Sequence, residues 1–539
     1  MNCKEAWMRR RDLLALLPAA AVPVARPGRA APPQTWPADS AAWLRLAARL
    51  RAVDQDGLSP GHYAIPPDSR AAADPSGHAA ALRAAAQAVL ADLVLGRVVA
   101  PAGRPDLRRD PAASLLPSWQ AALRASAEPA EVIERAALQP ADMPALRLAL
   151  RAARARVEAG GWPSISLGET LDPGMADAAR VPALRARLAA EDAELAALTP
   201  EAPELYDAAL EAAVRRWQAA QGLEPDGRVG RATQRLMNRP VEAVVGQIRV
   251  AMDMRRGLAP PPPGRRVEVN IPAYALRVME GGRVLLAMRV IVGKPARATP
   301  PLDVRMTAVQ FNPPWGVPER NAREDLLPRF RRDPRAMMEK GFRVYSVIGG
   351  ERVEIDPTTI DWGAIGGTRF PYIIRQDASD ASALGRLKFV MPNGDDIYLH
   401  DTPDRHLFNR AERALSSGCI RLSQPMELLE LVLAGVPGWD RARAQKALDS
   451  RQTSFLGLPR PLPVRLAYET VTVEEGEVRL RPDLYGLDAA YLRLLDQRRA
   501  APAAEPALAT AAPRRPATPA RASAPAPAGP VPTPTAQIE

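Results

Sequence analysis

The sequence predicts a multidomain α+β protein, in which helical segments come first and a mainly β domain follows. The chain has 539 residues, more than one hydrophobic core usually organises. Apolar residues recur at helical spacing up to about residue 258 and at alternate positions from Arg265 onward. The proline run Pro260–Pro263 separates the two patterns, so we place a domain boundary there.

The N-terminus has the pattern of an export signal. Arg9, Arg10 and Arg11 precede an apolar run from Leu13 to about Ala25, which is short for a membrane span. We therefore predict a signal peptide over residues 1–30 and a mature protein in the periplasm or cell envelope. An uncleaved anchor is the alternative, and we expect no integral membrane span apart from this segment.

Residues 36–200 are predicted to form a helical scaffold domain without evident chemistry. Helical spacing is clearest in three stretches, namely Ala79–Leu95, Pro144–Ala159 and Val181–Leu198.

A second, smaller helical module is predicted over residues 203–258. Leu210, Val214 and Trp217 fall on one helix face, and another helix begins near Gly230. The phrases Arg216-Trp217-Gln218 and Asp226-Gly227-Arg228-Val229-Gly230 make this module similar to the peptidoglycan-binding-domain family. The resemblance implies cell-wall glycan as a partner. Packing of these helices against neighbouring domains is the other interpretation.

Residues 265–458 are predicted to be the mainly β domain. Strands Tyr274–Met279 and Val284–Val292 flank a hairpin turn, and further strand candidates follow at Met306–Phe311 and Asp396–His400. Residues 312–371 are charged and partly helical, so they read as an insertion. After the domain we expect a hairpin and a helix over residues 459–497, with the hairpin strands at Pro463–Thr472 and Glu477–Leu480. A disordered Pro/Ala-rich tail is predicted over 500–539.

Charge and cysteine content limit the possible functions. The net charge of +11 favours an acidic partner, but no nucleic-acid motif appears, so we predict no nucleic-acid binding. With 2 Cys and 4 His, the chain offers little for a metal site, and we predict neither metal nor cofactor. Cys3 would leave with the signal peptide. Cys419 would then be a lone thiol in an oxidising compartment, which suggests a chemical role.

The residues around Cys419 suggest nucleophilic catalysis. A thiol needs a nearby base, and His400 lies nineteen positions earlier. Gly418 permits a tight turn, and the amides of Gly418 and Cys419 could hold an oxyanion. Arg421 could lower the thiol pKa or bind a substrate carboxylate. The alternative is that Cys419 is a small buried hydrophobic residue.

Two segments around His400 and Cys419 carry a recognisable pattern, namely Tyr398-Leu399-His400-Asp401-Thr402-Pro403 and Ser416-Ser417-Gly418-Cys419-Ile420-Arg421. Together they resemble the signature of the L,D-transpeptidase family with its YkuD-type catalytic domain. Asn312-Pro313-Pro314-Trp315 and Ala383-Leu384-Gly385-Arg386 are similar to the large, scaffold-bearing branch. Many family members carry His where this chain has Ser417, which leaves His400 as the base. His406 competes with it only by residue type, and we expect His406 at the surface.

The resemblance implies a YkuD-like β-sandwich with an inserted lid, and a peptidoglycan tetrapeptide stem as substrate. The Cys419 thiolate would attack the diamino acid at stem position three, expel D-alanine and form a 3→3 cross-link with another stem. Tyr398 would hold the oxyanion or orient the donor, and Trp315 would belong to the lid or to an ordinary core. An L,D-carboxypeptidase or endopeptidase, attachment of an envelope protein and a non-catalytic wall-binding scaffold are the alternatives.

Overall fold

The computed structural model describes residues 40–99, 101, 103–107, 109, 114–366 and 369–498. The predicted signal peptide (residues 1–30) and the predicted tail (residues 500–539) lie outside the described residues.

The first part of the chain is helical, as predicted. Its helices are α1 Ser40–Arg51, α2 Arg70–Ala73, α3 Pro75–Leu95, α4 Leu116–Ala125, α5 Pro129–Ala137, α6 Met143–Glu158, α7 Arg180–Ala189, α8 Ala193–Ala196, α9 Ala208–Ala220, α10 Arg231–Met237 and α11 Val241–Arg255.

Helices α1, α3, α4 and α5 share one hydrophobic core. Leu46 and Leu50 of α1 pack with Leu82 and Leu90 of α3, and all four side chains are fully buried. Among the described residues, α3 is also the one helix long and apolar enough to cross a membrane. The buried side of α3 belongs to this core. Packing inside the folded scaffold therefore explains the apolar composition of α3 as well as a membrane span would.

The small helical module begins earlier than residue 203, where we expected it. Val181 and Leu184 of α7 lie in the same core as Leu210 and Val214 of α9. Asp207 caps α9 by accepting a hydrogen bond from the Leu210 N–H (2.8 Å), which fixes the start of the helix. Helix α11 instead packs against α6, so it belongs with the scaffold rather than with the module. The sequence pattern is helical throughout and therefore does not mark this boundary.

The strands follow the switch to alternating burial. They are β1 Arg266–Asn270, β2 Ala275–Glu280, β3 Arg283–Gly293, β4 Leu302–Phe311, β5 Trp315–Gly316, β6 Phe342–Ile348, β7 Glu351–Ile355, β8 Ile373–Gln376, β9 Leu387–Val390, β10 Leu399–His400, β11 Ala414–Ser416, β12 Ile420–Leu422, β13 Ser454–Ala467, β14 Val471–Glu474 and β15 Glu477–Leu480.

The main sheet has the order β11-β3-β12-β10-β9-β4-β13-β1-β2, and β3 also pairs with β2. The pairing therefore closes the sheet into a ring around a core that includes Val269, Phe311 and Phe389. We predicted a β-sandwich. The strand pairing shows one sheet closed on itself, and the packing of this sheet into two facing layers stays a prediction.

The predicted insertion forms a separate small sheet with the order β5-β8-β6-β7. Its helices are α12 Glu319–Asn321, α13 Leu327–Arg332 and α14 Pro334–Glu339, and Ala322–Leu326 joins α12 to α13 as a π-helical turn. Phe330, Phe342 and Trp362 form its own core, in which the Phe330 and Trp362 rings stack 4.3 Å apart. The insertion reaches Gln376, past the predicted end at 371, because β8 pairs with β5 and β6.

The C-terminal segment completes the main sheet. The remaining helices are α15 Pro425–Leu433, α16 Arg441–Asp449 and α17 Leu487–Asp496. We expected Pro463–Thr472 to pair with Glu477–Leu480 and the β domain to end at 458. Instead β13 lies between β4 and β1 in the ring, and β14 pairs with β15 as the final hairpin. The predicted hairpin began too early in the chain, because the end of β13 is apolar enough to look like the first strand of the hairpin.

Candidate active site

The turn before Cys419 depends on Gly418. Gly418 has φ +119, a conformation that L side chains rarely adopt, and a Cβ here would lie 3.1 Å from Ile397 Cδ1. The buried Thr299 hydroxyl donates to the Gly418 carbonyl (2.6 Å), and the Ser416 hydroxyl donates to the Cys419 carbonyl (2.6 Å). These bonds hold the turn that carries Cys419 from its buried side.

One of the two predicted oxyanion donors is already engaged. The Gly418 N–H donates to the Ser416 hydroxyl oxygen (3.2 Å). Within the part of the chain that the structure describes, no hydrogen bond engages the Cys419 N–H. Of the two predicted amides, the Cys419 N–H is thus the one that can turn to a substrate oxyanion without giving up a partner.

Tyr398 is a polar neighbour of the Cys419 thiol. It lies opposite Cys419 because the parallel pairing of β10 with β12 matches Leu399 with Ile420. Both the Tyr398 hydroxyl and its backbone N–H hydrogen bond to the half-buried sulfur. The Asp396 carbonyl lies 3.7 Å from Sγ on the same side.

Trp315 belongs both to the site and to the core of the insertion. Its indole N–H donates to the Tyr398 hydroxyl, which in turn donates to the thiol. Its ring packs against Phe342 at 6.4 Å with T-shaped geometry. The core-packing interpretation of Trp315 is therefore present in the structure, and its place in a lid stays a prediction.

The ionisation of Cys419 reflects two opposing effects. Burial raises the pKa of the Cys419 thiol, whereas the hydrogen bonds from Tyr398 and the charge of Lys388 lower it. Burial and the neighbouring thiolate together raise the pKa of Tyr398, which keeps its hydroxyl protonated as a donor.

His400 is buried on the same face of the sheet as Tyr398. Burial and the charges of Arg421 and Lys388 lower the pKa of His400 to about 3, so the imidazole is neutral at ordinary pH. Its Nδ1 donates to the Asp401 carbonyl (2.5 Å), which leaves Nε2 as the basic nitrogen. In the described structure no hydrogen bond joins His400 to the thiol, and the Tyr398 ring centroid lies 5.6 Å from that of the imidazole.

The remaining predicted residues flank the thiol without contacting it. Arg421 donates to Asp404 (3.0 Å), and its charge lowers the pKa of His400. The exposed Ser417 hydroxyl accepts from Arg297 (2.7 Å) and Asn321 (3.0 Å). His406 is exposed, as expected.

Lys388 and Arg297 are site residues that sequence reasoning missed. Lys388 lies on β9 opposite His400, and its Nζ sits 3.7 Å from the centroid of the Tyr398 ring. Arg297 donates to Glu324 (2.5 Å) and Asp325 of the insertion as well as to Ser417. The strand register places Lys388 in the site, and loop packing places Arg297 there. The sequence shows neither the register nor the packing. Among the described residues, no group of three or more His, Cys, Asp or Glu could hold a metal.

Two protein families match parts of the chain. Residues 264–439 match the YkuD family, described as "L,D-transpeptidase catalytic domain", and residues 178–237 match a family described as "Putative peptidoglycan binding domain". A curated protein of Haemophilus influenzae named "Putative L,D-transpeptidase" is 41% identical over 240 residues, 44% of this chain and 48% of that protein. The match spans about half the length of that relative.

Solved structures of L,D-transpeptidases are also similar to the chain. One from Xylanimonas cellulosilytica has 16% identity, covers 56% of this chain and 99% of its own, and gives a TM-score of 0.18. One from Stackebrandtia nassauensis has 15% identity, covers 57% and 96%, and gives 0.19. We draw nothing about the fold from TM-scores this low. Residues 264–439 are thus similar to the YkuD catalytic domain of L,D-transpeptidases, and residues 178–237 are similar to a peptidoglycan-binding domain.

Proposed function

We propose that the protein is an exported peptidoglycan L,D-transpeptidase that forms 3→3 cross-links through an acyl-enzyme on Cys419. The observation that carries the proposal is the position of the thiol. Cys419 is held by Tyr398 inside the domain that matches the L,D-transpeptidase family, with a neutral His400 on the same face. The export signal proposed at residues 1–30 would deliver it to the periplasm, where this substrate lies.

In the acylation half-reaction, the Cys419 thiolate attacks the carbonyl of the third residue of a tetrapeptide stem. The new C–S bond creates an oxyanion, for which the Cys419 N–H and the Tyr398 hydroxyl are the donors at hand. The C–N bond to D-alanine then breaks, and His400 returns the thiol proton to the leaving amine. Catalytic hydrogen bonds often tighten only when substrate is bound, so we expect His400 to approach the reacting atoms in that complex.

In the transfer half-reaction, the side-chain amine of a second stem attacks the thioester. A C–N bond forms, the C–S bond breaks, and His400 takes the proton from the amine. Water competes with this amine. The insertion, which carries Trp315 to the Tyr398 hydroxyl, is proposed as the lid that keeps water from the thioester.

Mass spectrometry of the reaction products tests the proposal. The purified protein and its Cys419→Ala variant are incubated with disaccharide-tetrapeptide. A cross-linked dimer that lacks one D-alanine, formed only by the wild type, is the expected result. Tripeptide without dimer would identify a carboxypeptidase, and the absence of any Cys419-dependent product from folded protein would favour a wall-binding scaffold.

A further inference from the structure

The ammonium group of Lys388 lies in the site, where the Asp396 carboxylate acts on it through its charge. Lys388 is half-buried on β9, where it faces His400 across the strand pair. Its Nζ rests 3.7 Å from the Tyr398 ring centroid, on the ring whose hydroxyl holds the thiol. The part of the chain that the structure describes gives it no salt bridge, although nearly every arginine near the site has one, for example Arg297 with Asp325 and Arg421 with Asp404.

The other positive groups near the thiol are otherwise occupied. His400 is neutral at ordinary pH, because its pKa is lowered to about 3. Arg421 is turned to Asp404, 3.0 Å away. Among the charged side chains that act on Cys419, Lys388 lowers the thiol pKa and Asp396 raises it. A thiolate in this site would therefore have the Lys388 ammonium as a nearby cation.

We propose that Lys388 is a positioning residue that stabilises the Cys419 thiolate by its charge and holds the Tyr398 ring from which the hydroxyl donates to the sulfur. The attraction is mutual. Burial lowers the pKa of Lys388, and the charges of Cys419 and Asp396 raise it, so the thiolate also keeps the ammonium protonated. In this account the resting pair is a neutral thiol and a neutral imidazole, and Lys388 stabilises the thiolate that forms when His400 takes the thiol proton.

The proposal rests on Cys419 as the nucleophile of the proposed function, but its test needs no peptidoglycan. The rate of Cys419 alkylation by iodoacetamide, a neutral reagent, is measured against pH in the full chain. Peptide mapping assigns the modification to Cys419 and separates it from Cys3. The groups that act on the thiol during this titration are Tyr398, Lys388 and Asp396, and His400 and Arg421 lie on the neighbouring strand positions.

Removal of the charge is expected to shift the alkylation profile. In Lys388→Met, the pH midpoint should rise by about one unit, which is roughly a tenfold loss of thiolate below the midpoint. Lys388→Arg keeps a cation and should stay closer to the wild type. Lys446→Met makes the same charge change at an exposed residue of α16 and should leave the midpoint unchanged.

An unchanged midpoint in Lys388→Met, with an unfolding transition like that of the wild type, would overturn the proposal. If Lys388→Met does not fold, the comparison of Lys388→Arg and Lys388→Gln replaces it, and equal midpoints in these two variants would overturn it equally. Cross-linking by the wild type would be unaffected by either outcome, so the two proposals fail separately.

Discussion

His400 lies between two cations, Lys388 and Arg421, in a buried position, and this surrounding disfavours the imidazolium. The imidazole is thereby kept in the unprotonated form that a general base needs over the whole range in which the enzyme is expected to work. The lowered pKa of His400 also affects how the stability of the protein depends on pH.

The buried His400 should make the protein less stable as the pH falls. Between its unfolded value of 6.5 and its folded value of about 3, the unfolded chain binds a proton that the native state does not. Stability then decreases with falling pH by at most about 1.4 kcal/mol per unit from this group. Urea unfolding of the wild type and His400→Gln at pH 7 and pH 5 measures this. The variant should lose less stability than the wild type, and equal losses would contradict the assignment.

The Tyr398 hydroxyl should matter for the nucleophile more than for the fold. Tyr398→Phe removes the hydrogen bond to Cys419 while it keeps the ring over Lys388. A hydrogen bond to a charged group contributes about 1.5–3 kcal/mol, so we expect the thiol pKa to rise by about one to two units. Alkylation of Cys419 against pH gives the value. Trp315→Phe removes only the bond to Tyr398, so it should shift the thiol pKa less than Tyr398→Phe does. A larger shift in Trp315→Phe would contradict the view that Tyr398 acts on the thiol directly and Trp315 through Tyr398.

At the residue scale, the sequence predicts those site residues that lie on two alternating segments. Tyr398 and His400 share one face by strand spacing, and so do Cys419 and Arg421. Lys388 was missed because the register that pairs it with His400 depends on where β9 and β10 meet. The partners of Arg421 were missed for a similar reason, since Asp404 lies in a turn that the strand pattern does not describe.

At the scale of elements, Arg297 joins the insertion to the nucleophile turn. Its side chain is only 4% exposed and donates to Asp325 and Glu324 on one side and to Ser417 on the other. This contact lowers the pKa of Glu324 to about 2, so the pair persists at any ordinary pH. We infer that docking of the insertion is held by charge and hydrogen bonding at this point.

Loss of Arg297 should loosen the helices that dock on it. In Arg297→Met, amide hydrogen exchange over residues 319–332 should become roughly fivefold faster, about 1 kcal/mol, since the two carboxylates remain partly solvated. The exposed Arg329→Met on α13 serves as the matched control. Unchanged exchange in Arg297→Met, or equal acceleration in the control, would show that other contacts hold the insertion.

The sequence indicates the insertion by a break in the alternating strand pattern, and this prediction agrees with the structure in kind. Its end was placed too early because β8 follows the charged stretch and looks like a strand of the main sheet. Pairing with β5 and β6 is what assigns β8 to the insertion, and pairing is a tertiary property.

At the scale of the whole molecule, the catalytic domain depends on a segment beyond residues 264–439 that match its family. Strand β13 fills the place between β4 and β1. Past β13, the Tyr485 hydroxyl donates to the Gly293 carbonyl (2.6 Å) and accepts from the Thr299 N–H (3.3 Å), beside the nucleophile turn. The closure of the sheet could not be predicted because β13 reads as a local hairpin strand.

Truncation should separate these two regions. A chain that ends at residue 452 lacks β13 and leaves the edges of β4 and β1 unpaired, so we expect no cooperative unfolding transition and aggregation. A chain that ends at residue 498 keeps every described element and should unfold like the full protein. Circular dichroism during thermal unfolding compares them. A cooperative transition in the shorter chain would contradict the closed ring.

The acyl-enzyme itself is the most direct test of the central claim. The protein is mixed with disaccharide-tetrapeptide, quenched in acid after short times and measured by intact-mass spectrometry with peptide mapping. The account predicts a transient adduct on Cys419 with the mass of the disaccharide-tripeptide acyl group, absent in Cys419→Ala. Cross-linked product that accumulates in the wild type without such an adduct, or that persists in Cys419→Ala, would contradict it.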